Sequence, residues 1–206
     1  MFDELQISKY ILYGAGEDNW YEETRKTIVD IFGEEQCWFI CQLLAATSIN
    51  STLKSNIALF SKALYQWRTG QKFTGYVPVM LMQLERLKKG EPMQGRKINN
   101  FARAMYGNPN AVVVDTWIMR AFLPERARKR KDKVVIYTPT KKDYDNIEDW
   151  IIKKAYSMDM QPRELCSTIW GGIRKMHTGK NNPTRYCDIL RMKFSNPLFA
   201  RGNLIA

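Results

Sequence analysis

Two short stretches hold the residue types that can do chemistry. The first is Glu91-Pro92-Met93-Gln94-Gly95-Arg96-Lys97, a turn punctuated by Pro and Gly that leads into a helix expected over residues 97–106. A turn between two helices can present successive backbone N–H groups to a phosphate, as helix N-termini do. Gly95 allows close backbone approach, Arg96 and Lys97 add charge, and Asn99 and Asn100 add donors. The second is Val112-Val113-Val114-Asp115-Thr116-Trp117-Ile118-Met119-Arg120, an apolar run whose aspartate opens a helix. Such a carboxylate can cap the amides near Ile118, and a helix N-terminus favours its negative charge. Lys97 precedes Asp115 by eighteen residues. Its amine is a nucleophile if partly desolvated, and otherwise a phosphate contact or a solvated charge.

The elements that must position these groups read as helices. Helical periodicity predicts segments at 3–13, 18–32, 34–46, 52–68, 78–88, 97–106, 116–123, 143–157, 162–177 and 183–194. The segment at 34–46 is apolar on almost every side, the mark of a central buried helix. Ser51 is the expected cap of the next helix, whose stripe is Leu53, Ile57, Phe60, Leu64 and Trp67. Between them Thr47-Ser48-Ile49-Asn50-Ser51 is a polar break. Leu165, Ile169, Ile173 and Met176 form the expected inner stripe of the 162–177 helix. Met80, Met82, Met93, Met105 and Met119 are expected core filler, and His177 a surface residue. Val134-Val135-Ile136-Tyr137 is a short strand or an extended packing segment. No repeat or linker divides the sequence, so one compact helical unit over 1–206, all-α with nine or ten helices, is expected.

Composition narrows the class. With 45% apolar residues among 206 the chain can bury a substantial core, which excludes wholesale disorder. No apolar run reaches the ~18–20 residues of a membrane span. The acidic start, Met1-Phe2-Asp3-Glu4, does not resemble a signal peptide, so a soluble, cytoplasmic protein is expected. Cys37, Cys41, Cys166 and Cys187 read as buried free thiols. With no Cys-x-x-Cys pair and one histidine, neither a zinc site nor a four-cysteine iron–sulfur cluster is expected, and no cofactor is implied. The net charge is +11, although residues 1–40 hold nine acidic and three basic side chains. The cationic excess therefore lies downstream, and residues 126–133, RARKRKDK, are six-eighths basic. Such asymmetry suggests a polyanion partner. Arg128, Lys129 and Arg130 in that run either track a phosphate backbone or form a solvated surface turn.

The two stretches together resemble the helix-hairpin-helix DNA glycosylase superfamily of the endonuclease III type. There a hairpin of the form L-P-G-V-G-x-K is followed, eighteen positions after its lysine, by the aspartate of a V-D-T-H-V-x-R motif. Glu91 to Lys97 takes the hairpin place and Val114 to Arg120 the second motif, in register without a gap. Leu43 to Asn50 looks like the helix end and turn that reach into DNA in the family. The resemblance covers about residues 28–123, with the helix-hairpin-helix region at about 78–123. It implies a two-lobed helical fold and a DNA glycosylase that flips a modified or damaged nucleotide from double-stranded DNA and cleaves its N-glycosidic bond. Asp115 then stabilises an oxocarbenium-like sugar or activates the attacking group. Lys97 takes the place of the Schiff-base lysine of members with lyase activity. Gly95, Arg96, Asn99, Asn50 and Arg120 become DNA contacts, and Gln42 and Trp117 candidates for the base pocket.

The sequence departs from that pattern at Met93-Gln94, which replace Gly-Val, and at Trp117, which replaces a histidine and either stacks on an extruded base or belongs to the core. The stretch from Pro162 to Trp170 and Arg174 resembles uncharacterised phage-encoded proteins of this fold. Two further readings follow. One is a glycosylase-fold enzyme that modifies hypermodified thymine by displacing pyrophosphate, as proposed for such phage proteins. The other is a catalytically inactive DNA-binding relative.

Overall fold

The computed structural model describes residues 2–130, 133–136, 139–179 and 185–194, with the backbone alone at 126–130 and 133–136. Among the described residues ten α-helices follow in chain order: α1 (Glu4–Tyr13), α2 (Trp20–Phe32), α3 (Glu34–Thr47), α4 (Leu53–Arg68), α5 (Pro78–Lys88), α6 (Arg96–Tyr106), α7 (Thr116–Phe122), α8 (Lys141–Ser157), α9 (Pro162–Thr178) and α10 (Tyr186–Phe194). A single 3-10 turn, Pro124–Arg126, precedes two strands, β1 (Ala127–Arg130) and β2 (Lys133–Ile136). The strands pair antiparallel, Ala127 opposite Ile136 and Arg130 opposite Lys133. Within the basic run residues 127–130 form β1 and Lys133 begins β2, and Lys131 and Asp132 lie outside the described residues. Apart from this hairpin the regular elements among the described residues are helical.

Local chemistry sets most helix ends. Asp3 accepts from the Gln6 amide to start α1, and Thr140 and Asp143 close a reciprocal capping box on α8. Pro162 occupies the first turn of α9, where its missing N–H costs nothing. The cap of α4 is Thr52, which accepts from the Ser55 amide. Ser51, the expected cap, donates instead to the Thr47 carbonyl one turn back on α3.

The contacts divide the chain into two compact units, residues 1–21 with 108–183 and residues 22–107 with 184–206. In the first, α9 packs against α1, α7 and α8. Leu165, Ile169 and Ile173 are buried on its inner face, whereas Met176, expected beside them, is exposed. Gly172 permits the closest approach: a Cβ there would lie 1.8 Å from the Tyr10 carbonyl oxygen of α1. In the second unit α3 is the hub and packs against α4, α5 and α6, with every residue from Leu43 to Thr47 buried. Phe32, Phe60 and Phe194 stack edge to face beside it. Met80, Met93, Met105 and Met119 are core residues, but Met82 is exposed. All four cysteines are buried free thiols.

Candidate functional site

In the first unit the site is built on the extended segment 111–114, whose four apolar side chains are buried. Its backbone is held from two helices. The Tyr144 hydroxyl of α8 donates to the Val112 carbonyl at 2.9 Å and accepts from the Val114 amide at 3.2 Å. The Cys166 thiol of α9 faces the Val113 carbonyl at 3.6 Å. Burial pushes that thiol up to about 12, so it is a packed side chain and no nucleophile.

This fixed segment delivers Asp115 to the start of α7, half-buried. Its Oδ1 accepts from the Trp117 and Ile118 amides at 2.8 and 2.9 Å. Its Oδ2 accepts from the Trp170 indole Nε1 of α9 at 3.1 Å. Three N–H donors therefore orient one carboxylate, which rigid placement of a reacting group requires. The expected capping role is present, and Trp170 adds a partner that sequence spacing does not disclose across 55 residues.

Cations and rings pack on Trp117 and Trp170, the two tryptophans whose N–H groups hold the carboxylate. The Arg174 guanidinium lies 4.4 Å from the centroid of Trp170, and the Arg120 guanidinium 4.4 Å from that of Trp117. The other neighbours are Trp20, 5.3 Å from Trp170, and the exposed His177, 6.0 Å from Trp117. Trp117 is half-buried and carries a stacked cation, an arrangement intermediate between core packing and an open stacking face. Arg128, Lys129 and Arg130 lie along β1 of the same unit.

The second unit holds the remaining candidates. Between α5 and α6, residues 89–95 form a braced turn. The buried Gln83 side chain donates to the Gln94 carbonyl and accepts from its amide, at 2.9 and 2.8 Å. Arg86 donates to the Pro92 carbonyl and pairs with Glu91. Met93, which departs from the Gly-Val of the hairpin pattern, is a buried anchor here. Gly95 has φ 102°, a conformation that only glycine adopts without strain, and no side chain caps the helix that follows. Arg96 is exposed and Lys97 half-buried in that first turn. Asn99 uses its amide within the turn, donating to the Met93 and Gly95 carbonyls at 2.9 Å each.

The α3–α4 turn is fixed from beneath. The buried Asn56 accepts from the Thr47 hydroxyl at 2.7 Å and donates to the Leu44 carbonyl and the Tyr186 hydroxyl. Asn56 is thus structural. Asn50 is exposed with φ 52°, a left-handed conformation that asparagine tolerates. Gln42 is half-buried on α3.

Asp115, Trp117 and Arg120 are therefore together in one unit, and Gln42, Asn50, Gly95, Arg96, Lys97 and Asn99 belong to the other. Among the described residues no group of three or more His, Cys, Asp or Glu is placed to hold a metal ion, and no helix is long and apolar enough to cross a membrane. No curated protein and no solved structure matches the chain. A family profile matches residues 13–177, four-fifths of the sequence and all of the Asp115 surface described above, and so the chain belongs to a family of unknown function (DUF7178).

Proposed function

We propose that this protein is a DNA glycosylase of the helix-hairpin-helix kind, acting on a modified or damaged nucleotide. The observation that carries the reading is the Asp115 carboxylate, fixed by three N–H donors and flanked by two guanidinium–indole stacks. As the glycosidic bond breaks, its electron pair leaves with the base and positive charge grows on the sugar. A carboxylate already held in place stabilises that charge without reorganising. Water then adds to the sugar carbon, and the proton it gives up ends on the departed base, which left with the electron pair.

The braced α5–α6 turn supports the same reading. Its glycine start, its uncapped helix and its two cations suit a phosphodiester, and Gln83 and Asn99 hold the turn in one shape. Arg128, Lys129 and Arg130, on β1 of the first unit, are further charges that a duplex would attract. Lys97 is either the amine that attacks the sugar or one more phosphate contact.

The experiment is base release from a panel of lesion-bearing and phage-modified duplexes, resolved from strand nicking. Asp115→Asn should retain DNA binding and lower base release ~10²-fold or more, as expected for a positioned acid–base group. Borohydride trapping of a protein–DNA adduct that Lys97→Gln abolishes assigns the amine as nucleophile. Base release that leaves an intact abasic strand, with no adduct, assigns Lys97 to the backbone. Duplex binding with no product from any substrate refutes the enzyme. Pyrophosphate release from a diphosphorylated thymine without base loss replaces hydrolysis by group transfer on the same fold.

A further inference from the structure

Arg120, which the resemblance makes a DNA contact, has no part in the proposed bond breaking at Asp115. It sits five residues beyond Asp115, about one and a half turns along α7. Its planar guanidinium is stacked on Trp117, 4.4 Å from the ring centroid, and its Nε is shut off from solvent without a hydrogen-bond partner. Among the described residues no carboxylate is paired with it. Asp115 commits its oxygens to Trp117, Ile118 and Trp170. An indole face attracts a cation but accepts no conventional hydrogen bond, so the stack fixes the plane of the fork and leaves its donors unused. A half-buried cation in this condition lacks an anion.

The surroundings indicate which anion. Trp170, Arg174 and His177 follow one another on α9 at spacings of four and three, one helix face. Asp115 meets the first of them and Trp117 the last. That face therefore runs alongside α7, with the Arg174 guanidinium between the two contacts. Two guanidinium groups and an imidazole suit an oxyanion of more than one oxygen and more than one hydrogen-bonding edge. We propose that the Arg120–Trp117 stack is a receptor for a phosphate group of the substrate. The proposal rests on the reading of this surface as a nucleic-acid site and deepens it. The phosphate belongs either to the duplex backbone or to a free nucleotide.

The test uses the full chain as wild type, Arg120→Gln and Arg120→Lys. Duplex binding is measured across a salt series, and deoxythymidine monophosphate and inorganic phosphate are titrated by calorimetry. For a backbone phosphate, Arg120→Gln lowers duplex affinity ~10-fold and the slope of log affinity against log salt by about one ion. Arg120→Lys recovers the slope but not the full affinity, because an ammonium cannot bind in two-pronged fashion. For a nucleotide phosphate, wild type binds the monophosphate and Arg120→Gln does not. Either result supports the receptor. An unchanged slope together with monophosphate and inorganic phosphate binding that is absent, or indifferent to the substitution, overturns it. Should Arg120→Gln unfold, phenylglyoxal modification of wild-type Arg120, read by peptide mass, replaces it: protection by duplex or monophosphate supports the receptor, and no protection overturns it. Phosphate binding needs no turnover. Intact binding with no base release from any duplex therefore removes the glycosylase and leaves the receptor standing.

Discussion

The hydrogen bond from Trp170 to Asp115 can be isolated from the rings around it by a double-mutant cycle. Trp170→Phe removes the Nε1–H, which stands 3.1 Å from Asp115 Oδ2, and keeps a ring beneath Arg174. Asp115→Asn removes the same bond from the other side. With its oxygen still on the Trp117 and Ile118 amides, the new amide nitrogen faces the indole N–H, donor against donor. A hydrogen bond to a charged group contributes ~1.5–3 kcal/mol. Asp115 is only half-buried and water can replace part of it, so the contribution falls to the bottom of that range or just below it, about 1–2 kcal/mol. Trp170→Phe also loses ring contacts, on the order of 1 kcal/mol. Its total of ~2–3 kcal/mol corresponds to a fall in Tm of roughly 4–12 °C for a chain of this length. In the Asp115→Asn background only the ring contacts remain to be lost. The two single changes should therefore sum to ~1–2 kcal/mol more than the double. Urea unfolding of the four proteins measures the sum. Amide exchange at Trp117 and Ile118, whose N–H groups the same carboxylate caps, reports whether the loss is local. Additivity within about 0.5 kcal/mol would refute the assignment of Trp170 as the residue that orients Asp115.

Three other perturbations follow from the packing. Gly172→Ala sets a methyl 1.8 Å from the Tyr10 carbonyl oxygen and 2.9 Å from the Gly14 amide, backbone that cannot give way. It should cost ~3 kcal/mol or more, read by thermal unfolding. Gln83→Ala changes no charge but removes both hydrogen bonds that hold Gln94. It should weaken duplex binding severalfold at constant helix content by circular dichroism, whereas unaltered affinity would separate the turn from DNA. The Cys166 thiol is raised by burial from 9.0 to about 12. The folded protein therefore binds that proton more tightly than the unfolded chain does. Its contribution is complete below pH 9 and is lost as pH climbs towards 12. Urea midpoints of Cys166→Ala should accordingly decline less steeply than those of wild type across that alkaline range.

The helices were legible because their punctuation is local. Pro78, Pro162, Gly90 and Gly107 mark ends that a 3.6-residue pattern alone leaves vague, and Thr140 with Asp143 extended α8 two residues earlier than periodicity indicates. Stripe membership was less secure at helix ends: Met176 continues the spacing of Ile169 and Ile173, yet its side chain is exposed. The basic run carries no local mark of a pairing partner. A strand of four residues acquires its identity from the segment it pairs with, and Val134 and Val135 were visible as strand formers while RARKR was not. At the site, the capping geometry of Asp115 was readable from the sequence. Trp170 was not, because an indole 55 residues away has no local mark that it will donate to a carboxylate. The same holds for Gln83, whose burial beneath the turn depends on how α5 lies on α3.

The close seat of α1 on α9 bears on how the chain is made. Tyr10 and Gly14 leave the ribosome early, whereas Gly172, the residue whose missing side chain admits them, follows 158 positions later. At ~5–20 residues per second that interval is roughly 8–30 s, far longer than a helix needs to form. Throughout it the Ile7 and Tyr10 face of α1 has no α9 to cover it, while residues 22–107 emerge with α3 and its partners α4, α5 and α6 complete. Synthesis therefore favours an order in which α3 with α4, α5 and α6 assembles before the unit carrying Asp115 closes, and α10 joins α4 afterwards. A nascent chain stalled before residue 162 should expose α1 to chaperones and proteases that the finished protein excludes.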